Sequence, residues 1–255
     1  MVAAAAFFDV DNTLMRGASI YYFAKGLATR RYFRTRDLVG FAWHQAKFRA
    51  RGESHDTLAL ARESALAFVA GREVAEIERL GEEIYDEEMA DRIWSGTRAL
   101  AEQHVREGMQ VWLVTATPVE LANIIADRLG LTGALGTVAQ VESGRYTGHL
   151  RGDPLHGPAK ADAVVALAAR EGLDLAECYA YSDSVNDLPM LRAVGHPAVV
   201  NPDGDLRDTA RAEGWPVHDF RTGRRAVKVG VPAALAAGAV VGGTAAGLAA
   251  RRRRG

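Results

Sequence analysis

The chain has 255 residues, 48% of them hydrophobic and 25% charged, with a formal net charge of −1. Those proportions exclude a disordered, collagenous or disulfide-stapled chain and fit a soluble globular protein with one elaborated α/β domain or two modest ones. The single cysteine, Cys178, has no partner for an internal bridge. It begins the apolar run Cys178-Tyr179-Ala180-Tyr181, which predicts a buried strand and a structural thiol in a reduced compartment. The balanced charge hides a split: eight of the 31 basic residues and none of the 32 acidic ones fall in 221–255, which leaves residues 1–220 with a net charge of −9. That asymmetry predicts a basic tail with an anionic partner. Met1-Val2-Ala3-Ala4-Ala5-Ala6 has no charged leader and runs straight into an apolar stretch, so no secretory signal peptide is expected.

In chain order, residues 2–8 predict a buried parallel strand ending at Asp9, with acids at its carboxyl end. From about 18 to 93 there is no strand-like alternation but a series of helical patterns. Thr35 opens one and Gly52 closes it; Ser54 opens the next and Gly71 closes that. Val111-Trp112-Leu113-Val114-Thr115 predicts a second strand, followed at once by a helix with Thr117 and Glu120 spaced as a capping box around Pro118. Residues 137–150 alternate around Ser143-Gly144, as a β-hairpin does, and a helix is expected from about Gly157-Pro158 to Gly172. A strand over 177–182 then delivers Ser182-Asp183, and a short helix follows Asn186. Alternating β and α units with short loops predict an α/β fold, a doubly wound parallel sheet. The expected organisation is a core of residues 1–17 and 94–220, a helical cap over 18–93 inserted after the first strand, and a basic, apolar tail over 221–255 with a candidate tail helix.

Four polar clusters fall at predicted strand ends or helix starts: Asp9-Val10-Asp11-Asn12-Thr13, Thr115, Lys160, and Asp183-Ser184-Val185-Asn186-Asp187. Each alone has a plain structural explanation, such as a turn cap, a helix cap or a solvated lysine. Asp11 and Asn12 could cap a turn, and Asn186 could be the N-cap of the following helix. Together they place four carboxylates on one sheet edge, which repel unless a cation and a lysine neutralise them. Hard oxygen ligands favour Mg²⁺, and Mg²⁺ held by few carboxylates, waters and a phosphate group suggests phosphoryl chemistry.

The order Asp9-x-Asp11-x-Thr13, Thr115, Lys160, Asp183-x-x-x-Asp187 resembles the haloacid dehalogenase superfamily of phosphatases. The helical insertion and the run Tyr181-Ser182-Asp183-Ser184-Val185-Asn186-Asp187-Leu188-Pro189-Met190-Leu191 resemble its phosphoserine-phosphatase-like branch, and the likeness spans about residues 3–215. The resemblance implies a Mg²⁺-dependent phosphomonoester hydrolase with Asp9 as nucleophile, forming an aspartyl-phosphate, and Asp11 as general acid and then base. It implies phosphoryl binding by Thr115 and Lys160, supported by Asn12, Thr13 and Asn186. The implied metal set is Asp9, Asp183 and the backbone carbonyl of Asp11, with Asp187 supporting the metal's water or Lys160. A phosphotransferase on the same fold and a catalytically silent membrane-associated scaffold are the alternatives.

Phosphoserine phosphatases carry a glutamate nine residues after the nucleophile to meet the substrate's ammonium, and here that position is Ala18. The resemblance therefore leads to an uncharged small metabolite or a lipid-derived phosphomonoester in preference to phosphoserine. Residues 16–52 hold nine Lys or Arg against one acid, Asp37, among many aromatics. That composition fits a helix at an anionic membrane surface or, equally, a cap with solvated charges; no nucleic-acid partner is expected. Residues 229–250 carry no charge and are flanked by Lys228 and Arg251 to Arg254. As a helix this run is long enough to span a bilayer core of about 30 Å. Its Ala/Gly richness leaves open a flexible or surface-lying tail. The expected location is cytoplasmic, anchored to the membrane by this segment.

Overall fold

The structure, a computed structural model, describes residues 3–32 and 69–221. The helices expected between Thr35 and Gly52 and from Ser54 onward, and the tail run 229–250, lie outside the described residues. Residues up to His218 belong to one compact unit. Of the second, Asp219–Arg221 are described, with an Arg221–Asp219 ion pair at 2.8 Å.

Six parallel strands form the sheet: β1 (Ala5–Phe8), β2 (Gln110–Pro118), β3 (Gly133–Thr137), β6 (Tyr179–Ser182), β7 (His196–Val200) and β8 (Val217–His218). Their order is β3-β2-β1-β6-β7-β8. β1 is central and its four residues are buried on both faces, as a short apolar run flanked by parallel neighbours must be. Phe7 enters the cluster formed with Val164, Leu167, Met190 and Leu191. Phe8 points to the other face, stacking on Tyr181 at 4.3 Å beside His104. The strand order reverses at β1, so the crevice beyond the carboxyl ends of β1 and β6 is where an open α/β sheet binds its ligand.

Between β1 and β2 lie α1 (Ser19–Thr29), α2 (Val74–Ile84), a π-helical turn (Tyr85–Met89), a 3₁₀ turn (Ala90–Arg92) and α3 (Ser95–Arg106). Val69 is helical and the chain leaves that helix through Gly71 at φ +76°, where the sequence predicted a stop. α4 (Val119–Arg128) follows β2, and the hairpin β4 (Ala139–Glu142) and β5 (Arg145–Leu150) turns at Ser143-Gly144 with φ of +50° and +75°. Positive φ at both turn positions is the tight hairpin geometry. α5 (Pro158–Glu171) starts with Pro158 and ends at left-handed Gly172, as its sequence predicted. α6 (Leu188–Arg192) and α7 (Gly204–Glu213) complete the unit.

Several local expectations need correction. Thr117 and Glu120 do not form a capping box. Pro118 occupies the N-cap position of α4 with no side-chain cap, because Thr117 is the penultimate residue of β2 and its hydroxyl is taken up elsewhere. Cys178 precedes β6: residues 175–177 form a 3₁₀ turn, and the buried thiol accepts the Ala5 backbone N–H at 3.3 Å. Ser184, not Asn186, caps the turn Val185–Asp187 that leads into α6. The basic residues in and beside α1 do not present a uniform charged face. Lys25 pairs with Glu88 at 2.7 Å and Arg30 with Glu87 at 2.8 Å, and Arg16 donates to the Asp91 carbonyl. A count along 16–52 misses these acids because they lie more than fifty residues away in sequence.

The start of β7 is tightly constrained. A Cβ on Gly195 would sit 1.8 Å from the Ala176 carbonyl oxygen, a backbone atom that cannot move aside, whereas Gly204 faces open space. Gly195→Ala should therefore destabilise the protein by about 1–3 kcal/mol or more. Gly204→Ala, at the first position of α7, should be neutral or stabilising by up to about 1 kcal/mol. Thermal denaturation of the two variants checks the contrast.

Candidate active site

The polar clusters predicted from sequence converge at the carboxyl edge of the sheet. β1 ends one residue before Asp9, whose backbone N–H continues the ladder to the Tyr181 carbonyl at 2.9 Å. β6 ends at Ser182, which places Asp183 beside it. α5 points its first turn at this edge, and Lys160, its third residue, is 3% exposed. Lys160 Nζ donates to Asp9 Oδ1 at 2.5 Å and to Asp187 Oδ2 at 2.7 Å. Asp187 Oδ2 also accepts the Ser182 hydroxyl at 2.8 Å, and Asp183 Oδ1 accepts the Thr13 hydroxyl at 3.1 Å.

The electrostatics follow from that crowding. Burial pushes Asp9 up to about 7; Lys160 opposes the rise, and Asp187, Asp183 and Asp11 add to it. Asp183 is pushed up to about 6, again by burial, against the Thr13 hydrogen bond. Burial alone would lower Lys160, but Asp9 and Asp187 hold it above the ordinary lysine value. One ammonium faces four carboxylates, so the site has room for more positive charge. Among the described residues no three His, Cys, Asp or Glu side chains are grouped to hold a metal between them. The donors crowded at this edge are hard carboxylate oxygens, Asp9 and Asp183 among them, a chemistry that fits Mg²⁺ rather than a softer ion. Asp187 is drawn to Lys160 and Ser182.

Asp11 is held by a chain of hydroxyls that the sequence did not signal. Ser19 donates both its backbone N–H and its hydroxyl to Asp11 Oδ1, at 2.8 and 2.6 Å. With its proton committed, Ser19 Oγ accepts from Thr117 Oγ1 at 2.6 Å, and Thr117 Oγ1 accepts from Thr115 Oγ1 at 3.2 Å. Ser19, Thr117 and Thr115 are all buried. The chain thus runs from strand β2 to the first residue of α1 and fixes the orientation of the Asp11 carboxyl.

The remaining predicted residues sit at the margin. Asn12, at φ +60°, is exposed; its backbone N–H donates to the Gly17 carbonyl at 3.3 Å and its side-chain oxygen accepts the Gly17 N–H at 3.1 Å. Asn186 is exposed and bonds to Ser184. Thr13 is buried, with its carbonyl accepting the Thr97 hydroxyl at 2.9 Å. Beyond Asp11 a cavity of about 110 Å³ opens between α1 and α2 on one side and the end of β2, α4 and Tyr146 on the other. Ile20, Phe23, Leu27, Ile77 and Leu121 make most of its wall apolar.

The comparison with known proteins agrees with this geometry. The haloacid dehalogenase-like hydrolase family model matches residues 6–192. The chain is 57% identical over 253 residues to a Mycobacterium tuberculosis protein named phosphoserine phosphatase SerB1, covering 99% of this chain and 82% of that one. It is 30% identical over 227 residues to a Neisseria meningitidis histidinol-phosphatase, covering 85% and 98%. A Bordetella pertussis protein of unknown function has a solved structure with TM-score 0.75 and 31% identity, covering 86% of this chain and 100% of that one. The chain belongs to the haloacid dehalogenase-like hydrolases. Within them it is a phosphatase of the phosphoserine-phosphatase-like branch.

Ser19 generates a direct test. Ser19→Ala removes one of two donors on Asp11 Oδ1; a hydrogen bond to a charged group is worth about 1.5–3 kcal/mol, so kcat for phosphate release should fall about 10- to 100-fold. Thr117→Val, one link further along the chain, should cost less. Steady-state kinetics of both variants decide, and a Ser19→Ala enzyme within about twofold of the parent would detach Ser19 from the chemistry.

Proposed function

We propose that this protein hydrolyses a small phosphomonoester in two steps through an aspartyl-phosphate on Asp9, with Mg²⁺ bound at the sheet edge. The observation that carries the reading is the buried Lys160 bridging Asp9 and Asp187 beside Asp183, with Asp11 two residues beyond the nucleophile position and facing the cavity. Lys160 occupies Asp9 Oδ1, which leaves Oδ2 for in-line attack on phosphorus. As the new O–P bond forms, the bond to the ester oxygen breaks and Asp11 gives that oxygen its proton. Asp11 then takes a proton from a water that attacks the phosphoryl group, and phosphate leaves with Asp9 restored. Lys160 holds a phosphoryl oxygen, and the Thr115 hydroxyl joins it by exchanging its bond to Thr117 for one to the phosphoryl group. Asp9, Asp183 and the backbone carbonyl of Asp11 would hold the Mg²⁺, which when bound would neutralise charge on the phosphoryl group and the carboxylates.

Two relatives named for different substrates match this chain over 253 and 227 residues, so the branch does not by itself select the alcohol released. A silent scaffold would have no need of a lysine ammonium buried between two carboxylates, an arrangement that is expensive to maintain. We also propose that residues 229–250 hold the enzyme at the cytoplasmic face of a membrane; the support is the uncharged run between Lys228 and Arg251 to Arg254. Among the described residues no helix is long and apolar enough to cross a membrane.

Asp9→Asn should retain less than a tenth of the parent phosphate release with Mg²⁺, because an amide cannot attack phosphorus comparably. A higher residual rate, measured on protein of unchanged circular dichroism, would rule out the covalent step. Competing alcohols in the same assay separate hydrolysis from transfer. For the tail, the full chain should sediment with anionic vesicles at low salt and a chain ending at Gly223 should not; full-length protein left in the supernatant overturns the anchor.

A further inference from the structure

Asp203 makes more hydrogen bonds than its place in the chain requires. It is the N-cap of α7, and its Oδ1 accepts the Leu206 N–H at 2.8 Å. Capping a helix in this way takes one acceptor oxygen, which is why Ser, Asn and Asp serve about equally well. The second oxygen, Oδ2, accepts the Val185 N–H at 2.9 Å, and the Asp203 N–H donates to the Asp183 carbonyl at 2.8 Å. Both partners belong to the acidic loop after β6. β7 ends at Val200 and pairs with β6, so the turn after one strand is set beside the loop after the other. Inside that loop three backbone donors find partners nearby: Ser184 N–H on the Ser182 hydroxyl at 3.2 Å, Asn186 N–H on the Ser184 hydroxyl at 3.3 Å and Asp187 N–H on the Ser184 carbonyl at 3.0 Å. These bonds set the shape of the loop. Its placement beside Asp9 falls to bonds with other elements, and Asp203 provides two of them, one on each side of Ser184.

We propose that Asp203 is a positioning residue, which holds the backbone on both sides of Ser184 and so keeps the Asp183 carboxylate at the edge where it would take Mg²⁺ together with Asp9. Asp203 itself touches neither the metal nor the phosphoryl group. The proposal rests on the reading of Asp183 as a metal ligand. A group that orients a metal ligand commonly contributes about 10- to 100-fold in metal affinity. Asp203 is exposed and acts through the backbone, which puts its contribution at the lower end, about tenfold. The two oxygens divide the roles: Oδ1 serves the helix and Oδ2 serves the loop, so the roles can be separated by substitution.

The test titrates Mg²⁺ calorimetrically into the full chain, with beryllofluoride present in place of the phosphoryl group, and measures melting temperatures without metal. Asp203→Ser keeps a capping hydroxyl for the Leu206 N–H but lacks the second oxygen. Val185→Pro removes the same bond from the donor side and leaves the Asp203 charge in place. Val185 opens a 3₁₀ turn, where the φ of proline fits, and Ser184, at φ −115° and ψ 136°, already has the extended backbone that precedes a proline. Each variant should raise the Kd for Mg²⁺ about tenfold, while Asp203→Ser should melt within about 2 °C of the parent because the cap is retained. A Kd within about twofold of the parent in both variants overturns the assignment, makes Asp203 a helix cap only, and leaves the metal reading standing. A weaker Kd in Asp203→Ser alone also overturns it, since the missing charge and not the missing bond would be responsible. Should Asp203→Ser fail to fold, Val185→Pro decides. Should Val185→Pro fail to fold, the loss in Asp203→Ser must persist in about 0.5 M salt, where the field of a distant charge is screened, and its disappearance there overturns the assignment. Parent protein that takes up no Mg²⁺ would instead overturn the metal reading of the sheet edge, and the role of Asp203 with it.

Discussion

The ammonium of Lys160 lies between the carboxylates of Asp9 and Asp187, almost wholly removed from water, and the polar edge of the sheet is arranged around it. Removing one partner from such a buried group typically costs about 3–5 kcal/mol, because the charges left behind are neither solvated nor paired. Three elements distant in sequence must therefore be placed together: the end of β1, the first turn of α5 and the turn after β6. The parallel sheet does this by setting β1 beside β6, and Pro158 sets the start of α5 so that Lys160 falls in its first turn. The same crowding pushes Asp9 and Asp183 upward and makes the edge receptive to further positive charge.

Around this centre the helices between β1 and β2 act on Asp11 rather than on Asp9. Their link to the core is the hydroxyl sequence Thr115, Thr117, Ser19, all of whose donated protons run toward the Asp11 carboxylate. α1 and α2 meet closely, since a Cβ on Gly26 would lie 2.6 Å from Ile84. The cavity they share with β2 and α4 is therefore shaped by packing, while its acids come from two different walls.

What depends on local pattern is legible in the sequence. The doubly wound sheet, the hairpin at Ser143-Gly144, the limits of α5 and the meeting of Asp9, Asp11, Lys160, Asp183 and Asp187 at one edge were all legible, because strand ends, turn residues and caps are written in neighbouring positions. β3 was missed, since Gly133-Ala134-Leu135-Gly136-Thr137 has two glycines in five residues and no alternation. β7 was missed behind Pro197, which the sheet tolerates because its two-residue neighbour β8 pairs only with Val199 and Val200. Ser19 carries no signal of its own; its role exists only once α1 is set against β2. The spacing of Thr117 and Glu120 matches a capping box, but the strand runs on to Pro118 and turns both side chains to tertiary partners.

The position of β1 also has a consequence during synthesis. It is the central strand, yet Ala5 pairs with Gln110 and Ala6 with Tyr179, so neither neighbour exists when β1 leaves the ribosome. At about 5–20 residues per second the second neighbour follows roughly 10–30 s later. Throughout that interval Ala5-Ala6-Phe7-Phe8 is an apolar segment with both hydrogen-bonding edges open, the kind of segment that associates with other nascent chains. What shields Ala5-Ala6-Phe7-Phe8 until β6 has been made is therefore as much a part of reaching this sheet as the contacts that hold it once formed.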